Sequence, residues 1–311
     1  MSKVSIRQTI CETLIERAKT DQDIVALVSD SRGSASLTPF AKAYPDRLIE
    51  VGIAEQNLVG IAAGMANYGK KPYAASPASF LTMRAIEQIK VDVCYSNTNV
   101  KLLGISAGVS YGALGMSHHS LQDLAVLSTI PNMRIFVPAD HYEAEKIINT
   151  IVEDEQPAYI RIGRNPVEDV HATDDFEFEI GKGYVLKEGN EASILAIGEM
   201  VKPSLEAANA LEQEGIHVRV LDFPTIKPLD EEIIIKAAKE TGHILTIEEH
   251  STINGFGTMV ARVIGENAPC FIKNLGLPDT SLITGESQAL FHHYGLDPEG
   301  IQKQIKILLE K

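Results

Sequence analysis

The chain has no tryptophan and only three cysteines, Cys11, Cys94 and Cys270, too far apart for any C-x-x-C spacing. That spacing argues against a disulfide framework or a zinc knuckle and leaves reduced thiols as the expectation. Basic residues are also scarce: 28 Lys and Arg stand against 42 Asp and Glu, for a net charge of −14. No nucleic-acid partner is expected from such a balance, because phosphate binding leans on clustered Lys and Arg. No apolar run approaches the roughly 20 residues of a membrane helix, so no membrane partner is expected either. The opening MSKVSIRQTICETLIERA carries charges through its apolar stretch and offers no small-residue cleavage site. It does not read as a secretory signal, and a cytoplasmic location is the expectation. Low-complexity tracts and short-period repeats are missing too.

What is present is an ordinary globular composition, 44% hydrophobic and 23% charged over 311 residues. At about 100–200 residues per domain this length predicts two domains, each able to bury a core without staples. Ile6, Ile10, Leu14 and Ala18 share one helical face. Short apolar runs at 24–28, 100–105, 133–137 and 158–162 alternate with helical stretches at 55–68 and 141–152. After an acidic stretch at 169–179, strand-like runs at 192–197, 217–221, 243–247 and 271–275 alternate with helices at 201–214, 230–241 and 256–265. Asp297 is placed to cap a last helix with Ile301, Ile305 and Leu308 on one face. Such alternation predicts an α/β protein with two domains, each a mostly parallel twisted sheet flanked by helices. The boundaries read as 1–170, a linker over 171–187, and 188–311.

The most informative stretch is IEVGIAEQNLVGIAAGM at 49–65. Glu55 stands where a strand hands over to a helix rich in Gly and Ala, and such small residues let a backbone or a flat ligand approach closely. Taken alone, Glu55 reads as a helix cap. The segment does not stand alone. It is followed by S-F-L…R-A-I-E-Q-I-K, by G-x-x-G-M-S-H-H, and by D-L-A-V-L-S-T-I-P-N-M-R-I-F-V-P-A-D. In this order they resemble the pyrimidine-binding domain of transketolases, in particular the C-terminal subunit of transketolases encoded as two chains. IEEH at 247–250 and GFG at 255–257 resemble the family's C-terminal domain, and the likeness runs over about residues 4–305.

The resemblance implies thiamine diphosphate as cofactor, with its aminopyrimidine end bound here. Glu55 falls on the glutamate that hydrogen-bonds N1′; a proton held there lets the 4′-nitrogen take the proton from C2. Phe80 falls on the aromatic that stacks on the ring, whereas Met83, Arg84 and Ile86 stand where the family often has further aromatics. Asp30 is expected at the subunit interface or cofactor pocket. Arg7, Ser34 and Arg164 fall on phosphate-contacting positions, for which a forked guanidinium suits a tetrahedral anion. His118, after Gly115-Met116-Ser117, matches the histidine of the family's G-P-T-H motif at the reacting end of the sugar. Leu114 replaces an acidic residue that reads a sugar hydroxyl, and Ser106 stands where a histidine is common. The implied substrate is therefore a non-standard sugar phosphate, sulfonated or branched.

No G-D-G…N motif for the metal and diphosphate is found, and this chain offers no metal ligands of its own. The resemblance thus implies that an N-terminal subunit holds Mg²⁺ or Ca²⁺ and the phosphates, the two chains forming an α2β2 assembly about a two-fold axis. Three alternatives stay open at this point: the β subunit of a 2-oxo-acid dehydrogenase, a deoxyxylulose-phosphate synthase-like enzyme, and a non-catalytic regulatory subunit of the same fold.

Overall fold

The computed structural model describes residues 4–171 and 176–311. Its strands are β1 (Ile24–Val28), β2 (Leu48–Glu50), β3 (Lys71–Pro77), β4 (Lys101–Ile105), β5 (Arg134–Phe136), β6 (Ala158–Ile162), β7 (Tyr184–Lys187), β8 (Ala192–Ala196), β9 (Val218–Asp222), β10 (Thr225–Lys227), β11 (His243–Ser251) and β12 (Phe271–Leu277). They form a seven-stranded sheet in the order β10-β5-β6-β4-β3-β1-β2 and a five-stranded sheet in the order β12-β11-β8-β9-β7. Every pairing is parallel except β10 with β5 and β7 with β9. β1, β4, β6 and β8 are buried along their whole length. That is why they appear in the sequence as unbroken apolar runs rather than alternating ones: both faces of a parallel sheet are covered.

The helices are α1 (Ile6–Arg17), α2 (Thr38–Ala43), α3 (Glu55–Asn67), α4 (Ala78–Arg84), α5 (Ile86–Gln88, continuing into a π-helical turn, Ile89–Tyr95), α6 (Asp123–Ser128), α7 (His141–Ile151), α8 (Val201–Gln213), α9 (Glu231–Thr241), α10 (Phe256–Asn267), α11 (Ser287–Tyr294) and α12 (Pro298–Leu309). Asp297 does cap α12, accepting from the Gly300 N–H at 2.8 Å, and Ile301, Ile305 and Leu308 are buried beneath it. Such a cap stabilises a helix by about 0.5–2 kcal/mol. Each buried aliphatic side chain adds roughly 1.5–3 kcal/mol, so packing far outweighs capping. Cys11 and Cys94 are buried and Cys270 half-buried, all three free. Among the described residues no helix is long and apolar enough to cross a membrane.

Three features depart from the sequence reading. Tyr184–Lys187, assigned to the linker 171–187, form β7, an edge strand of the second sheet paired antiparallel with β9; residues 172–175 of that linker lie outside the described residues. Lys71–Pro77 escaped notice and form β3, central in the first sheet. And β10, from the second half of the chain, closes the first sheet: Thr225 pairs with Phe136 and Lys227 with Ile135. The Lys227 ammonium also donates to the Ser128 and Ile130 carbonyls.

Candidate active site

Ligands of parallel α/β sheets bind beyond the carboxyl ends of the strands, where the loops gather. β1, β2, β3, β4 and β6 are parallel neighbours, so the residues that follow them lie along one edge. Asp30 follows β1, Glu55 follows β2, Phe80 follows β3, Ser106 follows β4 and Arg164 follows β6. Candidates scattered over 135 positions of sequence are thereby brought to one rim of one sheet.

Glu55 opens α3 and is 4% exposed. Both its carboxylate oxygens accept from Nη1 of Arg84, each at 3.0 Å. The same guanidinium lies over the Phe80 ring, 4.1 Å from its centroid. Phe80 in turn meets His118 edge-on at 5.0 Å, and His118 meets Tyr111 edge-on at 5.8 Å. Arg164 covers the Tyr111 ring at 4.9 Å. The result is a continuous strip, Glu55–Arg84–Phe80–His118–Tyr111–Arg164, from a buried carboxylate to a guanidinium. Beside its far end, Tyr111, Leu114, Arg164, Asn165 and Ser287 border a cleft of about 650 Å³.

At that end Arg7 donates from Nη1 to the Ser34 carbonyl and from Nη2 to the Arg164 carbonyl, the latter at 2.7 Å. The structure thus unites Arg7, Ser34 and Arg164, but through main-chain oxygens, so Arg7 fixes the loops and Arg164 presents the freer fork. Burial alone would raise the Tyr111 phenol. The Ser34 and Ser106 hydroxyls and the charges of Arg164 and Arg7 outweigh it and bring the phenol below its ordinary value. Ser106 is 1% exposed, with a left-handed backbone (φ 55°), and its hydroxyl faces Tyr111 without making a full hydrogen bond. The Ser117 hydroxyl contacts Nδ1 of His118 at 3.0 Å. The neighbouring His119 is buried, and burial lowers its basicity. Asp30 is not joined to the strip. It is exposed, left-handed at φ 55°, and its N–H donates to Glu50.

Sequence reasoning had passed over Tyr111 and Glu199. Tyr111 carried only the signal of an aromatic within a glycine-rich stretch, 108–115. Glu199 comes from the second half of the chain and packs against Gly163, where even a methyl group would collide with its carboxylate at 1.5 Å. Burial pushes this carboxyl up to about 7 against the pull of Arg161 and Arg7.

Residues 2–168 match the model of the transketolase pyrimidine binding domain, and residues 181–301 that of the transketolase C-terminal domain. The chain belongs to the transketolase family. It is similar over 96% of its length, at 48% identity, to an apulose-4-phosphate transketolase subunit of Phocaeicola vulgatus, of which it covers 96%. A 6-deoxy-6-sulfo-D-fructose transketolase subunit of Clostridium sp. is 35% identical over 98% of this chain and 95% of its own. Among solved structures, a split gene transketolase described as an inactive beta4 tetramer superimposes with a TM-score of 0.89 at 39% identity, each chain covered to 99%. The chain therefore corresponds to the C-terminal subunit of a split transketolase, and family membership implies dependence on thiamine diphosphate.

Proposed function

We propose that this member of the transketolase family holds the aminopyrimidine end of thiamine diphosphate at Glu55 and Phe80. Together with an N-terminal subunit it transfers a two-carbon ketol unit from a ketose phosphate to an aldose. The strip from Glu55 to Arg164 carries this reading. A flat heterocycle needs a buried acceptor beside an aromatic face, and Glu55 and Phe80 supply that pair; a phosphorylated sugar needs a cationic fork at some distance, and Arg164 supplies it. When bound, the cofactor takes up the electron pair released as the ketose C–C bond breaks. The chain's own part is to hold a proton at N1′ through Glu55 and to flank the ring with Phe80. His118 lies between the ring and the sugar, Ser106 and Tyr111 line the channel, and Arg164 orients the phosphate with Ser34 and Arg7 fixing its loop. Asp30, outside the strip, belongs in this reading to the subunit contact.

The N-terminal subunit supplies the metal, Mg²⁺ or Ca²⁺, and the diphosphate cradle, in an α2β2 assembly. Exposed apolar side chains support a partner at this rim. Ile53 (73% exposed), Met83 (51%) and Met116 (40%) each stand within two positions of Glu55, Arg84 or His118. On the outer face of α3, added Cβ atoms at Gly60 and Gly64 would meet nothing within 4 Å, which leaves room for a backbone to lie close. End-to-end similarity to subunit-sized relatives favours a two-chain transketolase over a single-chain synthase. Relatives named for apulose-4-phosphate and for 6-deoxy-6-sulfo-D-fructose, together with Leu114 in place of an acid, support a non-standard sugar.

The test is reconstitution: this chain, its N-terminal subunit, thiamine diphosphate and Mg²⁺, screened against ketose and aldose pairs. Turnover is expected from the mixture only, and Glu55→Gln should lower it by about 10²–10⁴-fold while circular dichroism stays unchanged. Robust turnover by the single chain, or wild-type rates in Glu55→Gln, would end this reading.

A further inference from the structure

A flat ring held by Glu55 and Phe80 must meet two conditions at once. One edge nitrogen has to come within hydrogen-bonding distance of the carboxylate, and the ring face has to lie against the phenyl ring. In the structure Arg84 already meets both. Its Nη1 is 3.0 Å from each Glu55 oxygen, and its Cζ is 4.1 Å from the Phe80 centroid. A guanidinium is planar, rich in N–H donors and weakly hydrated, so it can imitate a flat N–H-bearing ring in both respects. Arg84 ends α4, one turn beyond Phe80, and its side chain is 48% exposed. It can swing out to water without unwinding its helix.

We propose that Arg84 is a gate: in the free chain its guanidinium fills the place of the aminopyrimidine ring, and thiamine diphosphate binds by displacing it. This rests on the reading of Glu55 and Phe80 above. The contacts broken are an ion pair between the half-exposed Arg84 and the buried Glu55 carboxylate and a cation–π contact with Phe80. The incoming ring makes its own contacts with both partners in their place, so the gate lowers affinity by a modest factor and does not block the site.

The experiment measures the dissociation constant of thiamine diphosphate with Mg²⁺ by calorimetry, in the complex with the N-terminal subunit. Wild type, Arg84→Met, Arg84→Lys and Glu55→Gln are compared, with unchanged melting temperatures as the check on folding. Arg84→Met keeps the stem and loses the planar head, and should bind about three- to twentyfold tighter. Arg84→Lys keeps the charge without the flat face and should fall between. Equal or weaker binding by Arg84→Met, against normal wild-type binding that Glu55→Gln impairs, overturns the gate alone: Arg84 would then brace the ring site from behind. Absence of binding in every protein, or binding that Glu55→Gln leaves untouched, overturns the reading of the site and the gate with it.

Discussion

Tyr111 joins the two ends of the strip, stacking edge-on with His118 and lying beneath Arg164 while its phenol faces the Ser34 and Ser106 hydroxyls. Tyr111→Phe keeps the ring, and with it both stacking contacts, and removes only the polar tip. A neutral hydrogen bond contributes about 0.5–1.5 kcal/mol. Steady-state kinetics of the reconstituted enzyme should therefore show KM for the sugar phosphate raised by about two- to tenfold, with kcat nearly unchanged. Which residues could be foreseen at this scale depended on motif. Glu55, Phe80 and His118 sit inside recognisable runs and Arg164 on a position that the family resemblance marks, and the structure brings all four onto one strip. Tyr111 was silent in the sequence, and Arg84 stood out only as a departure from the family's aromatics, because the importance of both lies in what they touch. Those neighbours come from different strand ends, and no local pattern records that meeting. Arg7 was legible as a cation near a phosphate, yet its two terminal nitrogens are engaged with carbonyls of distant loops, a detail that only folding decides.

Among elements, the fully buried strands were the easiest to read. β1, β4 and β6 carry four or more apolar or small residues each. β3 was hidden because its sequence, KPYAASP, has Pro near both ends and Ala in the middle, a poor strand by propensity that tertiary pairing overrides. The join between α6, β6 and β11 was equally invisible. Asp123 on α6 accepts from the Arg161 Nε at 2.8 Å and the Tyr159 hydroxyl at 2.7 Å, both on β6. Arg161 also donates to the Ser120 and Glu249 carbonyls, the latter on β11. All of this is buried. Removing one partner of such a pair strands a charge away from water, at a cost of about 3–5 kcal/mol. Arg161→Met should lose that much in denaturant unfolding, and the double variant Asp123→Asn/Arg161→Met should recover part of it.

The whole molecule carries an unusual load of buried acid between its halves. Burial pushes Glu199 and Glu248 up to about 7 and Glu249 well above its ordinary value, with Arg161 pulling each of them back. An acid whose folded value is raised keeps its proton in the native state after the unfolded chain has released it. For Glu199 and Glu248 stability is then full below the ordinary carboxyl value of 4.5, falls between there and about 7 by at most about 1.4 kcal/mol per pH unit for each group, and levels off above. Glu199→Gln cannot ionise, so it should shrink the drop in melting temperature between pH 6 and pH 8 seen by calorimetry in the wild type. An undiminished drop would assign the effect to the other acids.

The antiparallel strand β10 has a consequence for how such chains are inherited. A crossover between relatives placed anywhere in 171–187 looks neutral on a domain diagram. It would nevertheless separate the first sheet from Thr225–Lys227, the three residues that cover its β5 rim. Cut off rather than exchanged, the chain up to 187 would leave that rim's N–H and C=O groups bare to any passing strand. A hybrid joined there pairs one relative's β10 with the other's β5, so the fit between these two strands is a condition on any exchange of halves.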